Sequence, residues 1–169
     1  EAVKRGLPEA KNTPEALKMM IKDDTIKLFE KYEILSKPEM HSRYEIKLDA
    51  YVKTKIMEFD VLKDMIYTKV IPCLVKQLNS YSTGKDALKS AGKSGKFLQD
   101  LISGIEEILE GLDAGLKRID KTMGEVDKNT ELKEKAEILG DEGNKLLEEL
   151  RMYCDRAESL VEDNIWELP

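Results

Sequence analysis

Three series of apolar residues recur along this chain at steps of three and four, and each predicts a long amphipathic α-helix. The first runs through Tyr44, Leu48, Tyr51/Val52, Phe59, Leu62, Ile66, Val70, Cys73, Leu74 and Leu78. Its start is marked by Ser36-Lys37-Pro38-Glu39, a capping box with Ser36 and Glu39 three apart, and the helix is expected to reach about Tyr81. Pro72 lies inside it. A proline in a helix interior removes one backbone bond and clashes one turn back, so a kink is expected near 68–72 rather than an end. The second series is Leu98, Leu101/Ile102, Ile105, Ile108/Leu109, Leu112, Leu116, Ile119, Met123 and Val126. The third is Leu132, Ala136, Leu139, Gly143, Leu146, Leu150, Tyr153, Ala157 and Leu160. It alternates four and three, a seven-residue repeat that predicts a gentle left-handed supercoil. Asp127-Lys128-Asn129-Thr130 makes the turn between the last two helices, with Asn129 or Thr130 as N-cap, and so short a turn makes them antiparallel neighbours.

The connections carry their own signals. Thr13-Pro14-Glu15 reads as a helix start, a hydroxyl N-cap followed by proline at the first helical position and an acid near the positive end of the dipole. Ala16, Leu17, Met20 and Ile21 give that helix an apolar stripe; after Asp23 and Asp24, a second short helix runs through Ile26, Leu28 and Phe29. Helices this short are marginal alone and are expected to pack on something else. Residues 82–96 are small and basic with three glycines, and read as a loop or frayed connection holding at most one poor helical turn. The expected fold is therefore all-α: an up-and-down bundle of three long helices, antiparallel and coiled-coil-like in its C-terminal hairpin, plus short N-terminal helices. Residues 1–35 are read as short helices and a linker, and 36–169 as the long-helix bundle, the two together making one domain.

Charge narrows the function classes. Residues 1–82 hold 15 Lys and Arg against 13 Asp and Glu, net +2, whereas 83–169 hold 13 against 21, net −8. An acidic half lacks the basic footprint that sequence-independent DNA binding needs, so no nucleic-acid partner is expected. No run approaches the length of apolar sequence a membrane span requires, and no signal-peptide core follows the start. The first residue is Glu1 rather than Met, which is read as processing, a cloned fragment or truncation. Cys73 and Cys154 sit inside apolar helical patterns and are expected to be reduced thiols, a disulfide between them being the alternative.

Candidate chemistry is thin. Gly92-Lys93-Ser94 lacks the upstream glycine of a phosphate-binding loop, since position 87 is Ala87, and reads as a basic connection. His41 is the only histidine, and with Glu39 two residues away it forms no metal pair on one helix face. Glu106-Glu107 and Glu148-Glu149 read as solvated acids rather than a catalytic pair. Gly111-x-x-x-Gly115 reads as close helix packing in water, because Glu110, Asp113, Lys117 and Arg118 surround it. No catalytic, cofactor-binding or metal residue is assigned. Trp166, the only tryptophan, is flanked by Ile165 and Leu168; it is either an anchor on another surface or a cap folded back on this bundle's own end. Trp166, Leu168, Phe29 and Tyr32 are the interaction candidates.

Several strings, taken in order, resemble the C-terminal helical region of type III glutamine synthetases. They are Lys4-Arg5-Gly6-Leu7 with Thr13-Pro14-Glu15-Ala16-Leu17, then Ile26-Lys27-Leu28-Phe29-Glu30-Lys31-Tyr32 with Ile34-Leu35-Ser36. Ser42-Arg43-Tyr44-Glu45, Tyr51-Val52-Lys53 and Ile71-Pro72 follow, and the chain closes on Asp163-Asn164-Ile165-Trp166-Glu167-Leu168-Pro169, similar to that family's D-x-[LI]-W-x-L-P ending. The ordered set spans the chain; residues 83–128 match mainly in pattern. The resemblance implies a parent that makes glutamine from glutamate, ammonia and ATP with Mg or Mn, in a cytoplasmic ring oligomer. Its metal and phosphate ligands lie upstream of anything here, so this chain is expected to bind no cofactor and to be non-catalytic, with a role in packing and assembly. Its expected partners are the upstream catalytic domain and the other subunits of the homo-oligomer. An autonomous helical interaction module is the rival reading; a small-molecule or nucleotide sensor using the 84–96 loop is a weaker third.

Overall fold

The computed structural model describes residues 3–6, 9–166 and 168. Leu7, Glu167 and Pro169 of the strings above lie outside the described residues. Every regular element among those described is helical, as the periodicity requires. In order they are a 3₁₀ turn Val3–Arg5, α1 (Thr13–Lys18), a 3₁₀ turn Met19–Ile21, α2 (Asp23–Lys31), α3 (Lys37–Met65), a π turn Ile66–Val70, and α4 (Ile71–Ser90). Then come α5 (Lys96–Lys128), α6 (Leu132–Ile138), a second π turn Leu139–Gly143, and α7 (Asn144–Leu160). Three long helical runs result, Lys37–Ser90, Lys96–Lys128 and Leu132–Leu160, the all-α bundle that the stripes predict. The chain divides into two compact units, Glu1–Met57 with Thr122–Asn144 and Glu58–Lys121 with Lys145–Pro169.

The first unit buries Ile26, Met40, Tyr44, Leu48, Val52, Val126, Ala136 and Leu139. The helix start before Pro14 is one residue earlier than expected: Asn12 is the N-cap of α1, its side-chain oxygen accepting from the Glu15 N–H at 2.9 Å. Pro14 therefore stands at the second helical position, where its missing N–H is still no loss. Of the α1 stripe, Ala16 is exposed, and Pro14 is the residue α1 buries. Asp23 and Asp24 occupy the first turn of α2, where the helix dipole favours them. At the start of α3 the capping box is present: the Glu39 carboxylate accepts from the Ser36 N–H at 2.8 Å and from its hydroxyl at 2.6 Å. The turn before α6 is capped differently from expectation. Neither Asn129 nor Thr130 is its N-cap; Glu131 is, without a side-chain bond. Asn129 instead closes the end of α5, its backbone N–H and its side-chain amide both donating to Glu125 O.

The seven-residue spacing of the last series predicts an uninterrupted α-helix, yet the π turn Leu139–Gly143 interrupts it. The apolar spacing survives because Leu139, Gly140 and Gly143 are all buried in the turn itself. Packing explains the turn. A Cβ at Gly140 would lie 3.1 Å from Pro14 Cγ and 3.2 Å from Asn12 Nδ2, so the start of α1 rests on bare backbone. The Asn144 amide donates to Gly140 O at 2.8 Å, satisfying a carbonyl that regular helix bonding would have used.

The second unit buries Phe59, Ile66, Val70, Cys73, Leu74, Ile105, Ile108, Leu112, Leu116, Ile119, Leu146, Leu150 and Ala157. Its helices alternate in direction. Lys63 pairs with Asp120, and Lys85 donates to Gln99 at 2.7 Å, so α5 descends as the preceding helix rises. Along α5 and α7, Gly104 faces Leu160, Gly111 faces Tyr153 and Gly115 faces Leu150, again one index falling as the other climbs. Methyl groups at Gly111 and Gly115 would overlap the Tyr153 ring and Leu150 Cδ2, so these glycines set the close approach of the two helices.

Two sequence expectations change here. Pro72 does not break the helix, and the departure is a π turn just ahead of it: the Ile71 N–H bonds Ile66 O, five residues back. The wider turn leaves proline at the second position of the α segment that follows, where its ring has no clash one turn back. Residues 82–90 are helix rather than loop, and only 91–95 connect α4 to α5. Gly84 lets Leu98 approach to 3.3 Å of where a Cβ would stand, while the Thr83 and Ser90 hydroxyls fold back onto Asn79 O and Asp86 O. Packing against α5 thus overrides the weak helix propensity of the segment.

Candidate functional site

The four interaction candidates fall in two places. Phe29 and Tyr32 belong to the first unit, at the end of α2; Phe29 is half-buried and Tyr32 exposed, with Lys31 Nζ 5.5 Å from its ring centre. Trp166 and Leu168 belong to the second unit and are both half-buried.

After Leu160 the chain reverses and runs back along α4. Tyr81 Oη donates to Leu160 O at 3.1 Å, the Glu162 N–H donates to Gln77 Oε1 at 3.1 Å, and Cys73 Sγ donates to Ile165 O at 3.0 Å. A turn bonded through the Ile165 and Trp166 N–H groups to Glu162 O delivers the tryptophan. Of the two sequence readings of Trp166, this is the geometry of the folded-back one. Its indole N–H is buried and donates to no acceptor among the described residues. Sequence reasoning passed over Gln77, a buried amide in an apolar stripe, because its partner lies 85 residues away. Replacing Gln77 with Leu leaves the Glu162 N–H without its acceptor, and a loss of about 1–3 kcal/mol is expected in chemical unfolding, with a shift in Trp166 fluorescence. Unchanged stability and emission would show that the amide does not hold the tail.

A polar cleft in the first unit is lined by Asn12, Pro14, Glu15, Lys18, Glu137 and Asp141. Asn12 Nδ2 donates to Asp141 Oδ1 at 2.9 Å, and Lys18 Nζ to Glu137 Oε1 at 2.7 Å. The hydrogen bond from Lys18 holds the Glu137 carboxyl below its usual range, and the same bond holds the Lys18 ammonium above its own. A depressed carboxyl stabilises the fold above its unfolded pKa of about 4.3, and that contribution is lost as pH falls through the folded value. A raised lysine contributes fully below about 10.4, and its share is lost as pH rises through its folded value. Both side chains keep more than a third of their surface in water, 36% and 41%, so the pair is worth less than about 1 kcal/mol. Lys18→Met should therefore lower the urea midpoint slightly at neutral pH and match the unmutated chain at about pH 3; an equal gap at both would refute the assignment.

Nothing among the described residues assembles reaction chemistry. No group of three or more His, Cys, Asp or Glu is placed to hold a metal ion, and no helix is long and apolar enough to cross a membrane. His41 is half-buried near the start of α3. Gly92-Lys93-Ser94 ends α4: Gly92 takes φ +72°, its N–H donates to Lys89 O, and the Lys93 N–H reaches Leu88 O. That is a left-handed helix stop, with no strand before it to aim a phosphate loop. The acid pairs serve the α5–α7 seam, Arg156 donating to Glu107 and Arg118 to Glu149. Cys73 and Cys154 are free thiols, and burial, with Asp155 alongside, pushes the Cys154 thiol up, away from the reactive thiolate.

Comparison with known proteins places this architecture. Residues 1–89 match the family described as glutamine synthetase C-terminal domain. The chain is 29% identical, over its full length, to a glutamine synthetase of Butyrivibrio fibrisolvens, and 28% identical over 99% of its length to a type-3 glutamine synthetase of Dictyostelium discoideum. A glutamine synthetase of Bacteroides fragilis is 23% identical, again over the full chain. In each case the chain spans about 24% of the relative's length.

Proposed function

The chain belongs to the glutamine synthetase C-terminal domain family, and on that premise we propose that it is the non-catalytic C-terminal helical part of a type III glutamine synthetase. The observation that carries the proposal is the alignment, in which the full length of this chain corresponds to only the C-terminal quarter of enzymes several times longer. The parent would be a cytoplasmic ATP-dependent ligase joining glutamate and ammonia, with ATP and Mg or Mn held by upstream residues. The role of these helices is to pack on the catalytic domain and to support the homo-oligomer. Large apolar side chains left in water, among them Ile46 and Val61, support a role in which part of this surface is covered.

The test begins with the gene upstream of the codon for Glu1. A reading frame continuing into a domain with glutamine synthetase metal and ATP motifs supports the proposal. A start codon there, or an unrelated domain, turns the reading to an autonomous interaction module. In the parent, Trp166→Ala is expected to weaken assembly, and an oligomer size unchanged by light scattering counts against the assembly role.

A further inference from the structure

The end of α2 is built in an unusual way. The Ile34 N–H bonds Phe29 O at 3.0 Å and the Glu33 N–H bonds Glu30 O at 3.0 Å, a helix stop that demands a left-handed residue at position 33. Glycine normally supplies it, and does so at Gly92; here Glu33 holds φ +53° and bears the strain of its Cβ. The stop turns two large apolar residues to water, Tyr32 at 62% and Ile34 at 61% exposure, with Leu28 at 53% one helical turn before Tyr32. Beside them is a cleft lined by Ile34, Leu35 and Ser36 and rimmed by the carboxylates of Glu30, Glu33 and Glu39. Strain retained where apolar side chains are held in solvent is characteristic of a surface shaped for contact.

Resting on the proposed function, we propose that Leu28, Tyr32 and Ile34 seat the part of the parent enzyme that precedes residue 1, and that the seated segment is apolar with Lys or Arg at its edge. Two observations select this occupant. The relatives devote about three-quarters of their length to sequence outside this chain, and α2 starts only 23 residues along, so the preceding domain is tethered beside the patch. A partner on so short a tether has an effective concentration that free partners do not match. The acidic rim supplies the second, since three carboxylates favour a basic neighbour and disfavour an acidic one.

Ile34→Cys tests this by maleimide labelling, quantified on the peptide that holds residue 34 and normalised to the rate in denaturant. Fast labelling in the 169-residue chain and labelling slower by roughly tenfold or more in the parent enzyme are expected, because a covered thiol reacts only through local opening. In the parent, Glu33→Lys should speed labelling of the same cysteine by placing like charge against the seated segment. Equal rates in chain and parent would overturn the proposal, as would slow, concentration-dependent labelling in the chain alone, which would mean that a second copy covers the patch. No response to Glu33→Lys would overturn the basic character of the occupant. Failure of the family reading shows separately, as a gene with no synthetase domain upstream.

Discussion

Leu150→Ala is expected to destabilise the protein by about 2–5 kcal/mol, the range for a fully buried leucine, and Gly115→Ala to change sign in its presence. Leu150 is wholly buried in α7, and its Cδ2 fills the position a Gly115 Cβ would take on α5. Alone, the extra methyl of Gly115→Ala overpacks the seam, a cost of about 1–3 kcal/mol that outweighs the gain of about 1 kcal/mol from replacing glycine in a helix. With Leu150 truncated, the methyl enters the vacated space and only the gain remains. Gly124→Ala, where no atom lies within 4 Å of the new Cβ, should stabilise by about 0.5–1 kcal/mol in either background. A double-mutant cycle by chemical unfolding measures all of this, and simple additivity of Leu150→Ala and Gly115→Ala would refute the contact.

Phe59→Ala should cost more, about 3–5 kcal/mol, as expected for a fully buried phenyl ring. Phe59 is completely enclosed on α3, and the helix faces it with no second aromatic at a neighbouring stripe position, since Val52 and Ile66 are the stripe residues seven before and seven after. Nothing adjacent in that stripe can swing in to fill a void of that size. Phe59→Leu, which keeps most of the volume, should cost well under half as much. A loss for Phe59→Ala below about 1 kcal/mol would mean that the core collapses around the gap and that burial here is not rigid packing.

The long stripes were legible because burial on a helix face imposes a period that no local effect can imitate. Leu112, Leu116, Ile119, Leu146 and Leu150 are all buried, as their spacing requires. What sequence reading missed was set by partners far along the chain. Residues 82–90 look like a loop because Ser, Thr and Gly are weak helix formers, and they are helical because Leu98 packs over Gly84 and Gln99 takes Lys85. The π turn at Leu139–Gly143 leaves the apolar spacing intact, so no break in pattern announces it; its cause is the start of α1 lying on Gly140. The tail was legible only as alternatives, because nothing near Trp166 in sequence shows that Gln77 and Cys73 hold the preceding residues. Glu33 was invisible for a related reason: a left-handed stop is normally signalled by glycine, and here the signal is missing.

The π turn in the last helical run also changes what insertions and deletions do there. In an ordinary α-helix the loss of one residue rotates everything downstream by about 100°, carrying each core side chain away from its neighbour. At Leu139–Gly143 the backbone already holds one residue more than an α turn needs. A chain one residue shorter at that point would close into regular helix and leave Leu146, Leu150 and Ala157 pointing where they do now. The turn is thus a register buffer, a place where this lineage can change length inside a helix while the packing code on either side reads the same.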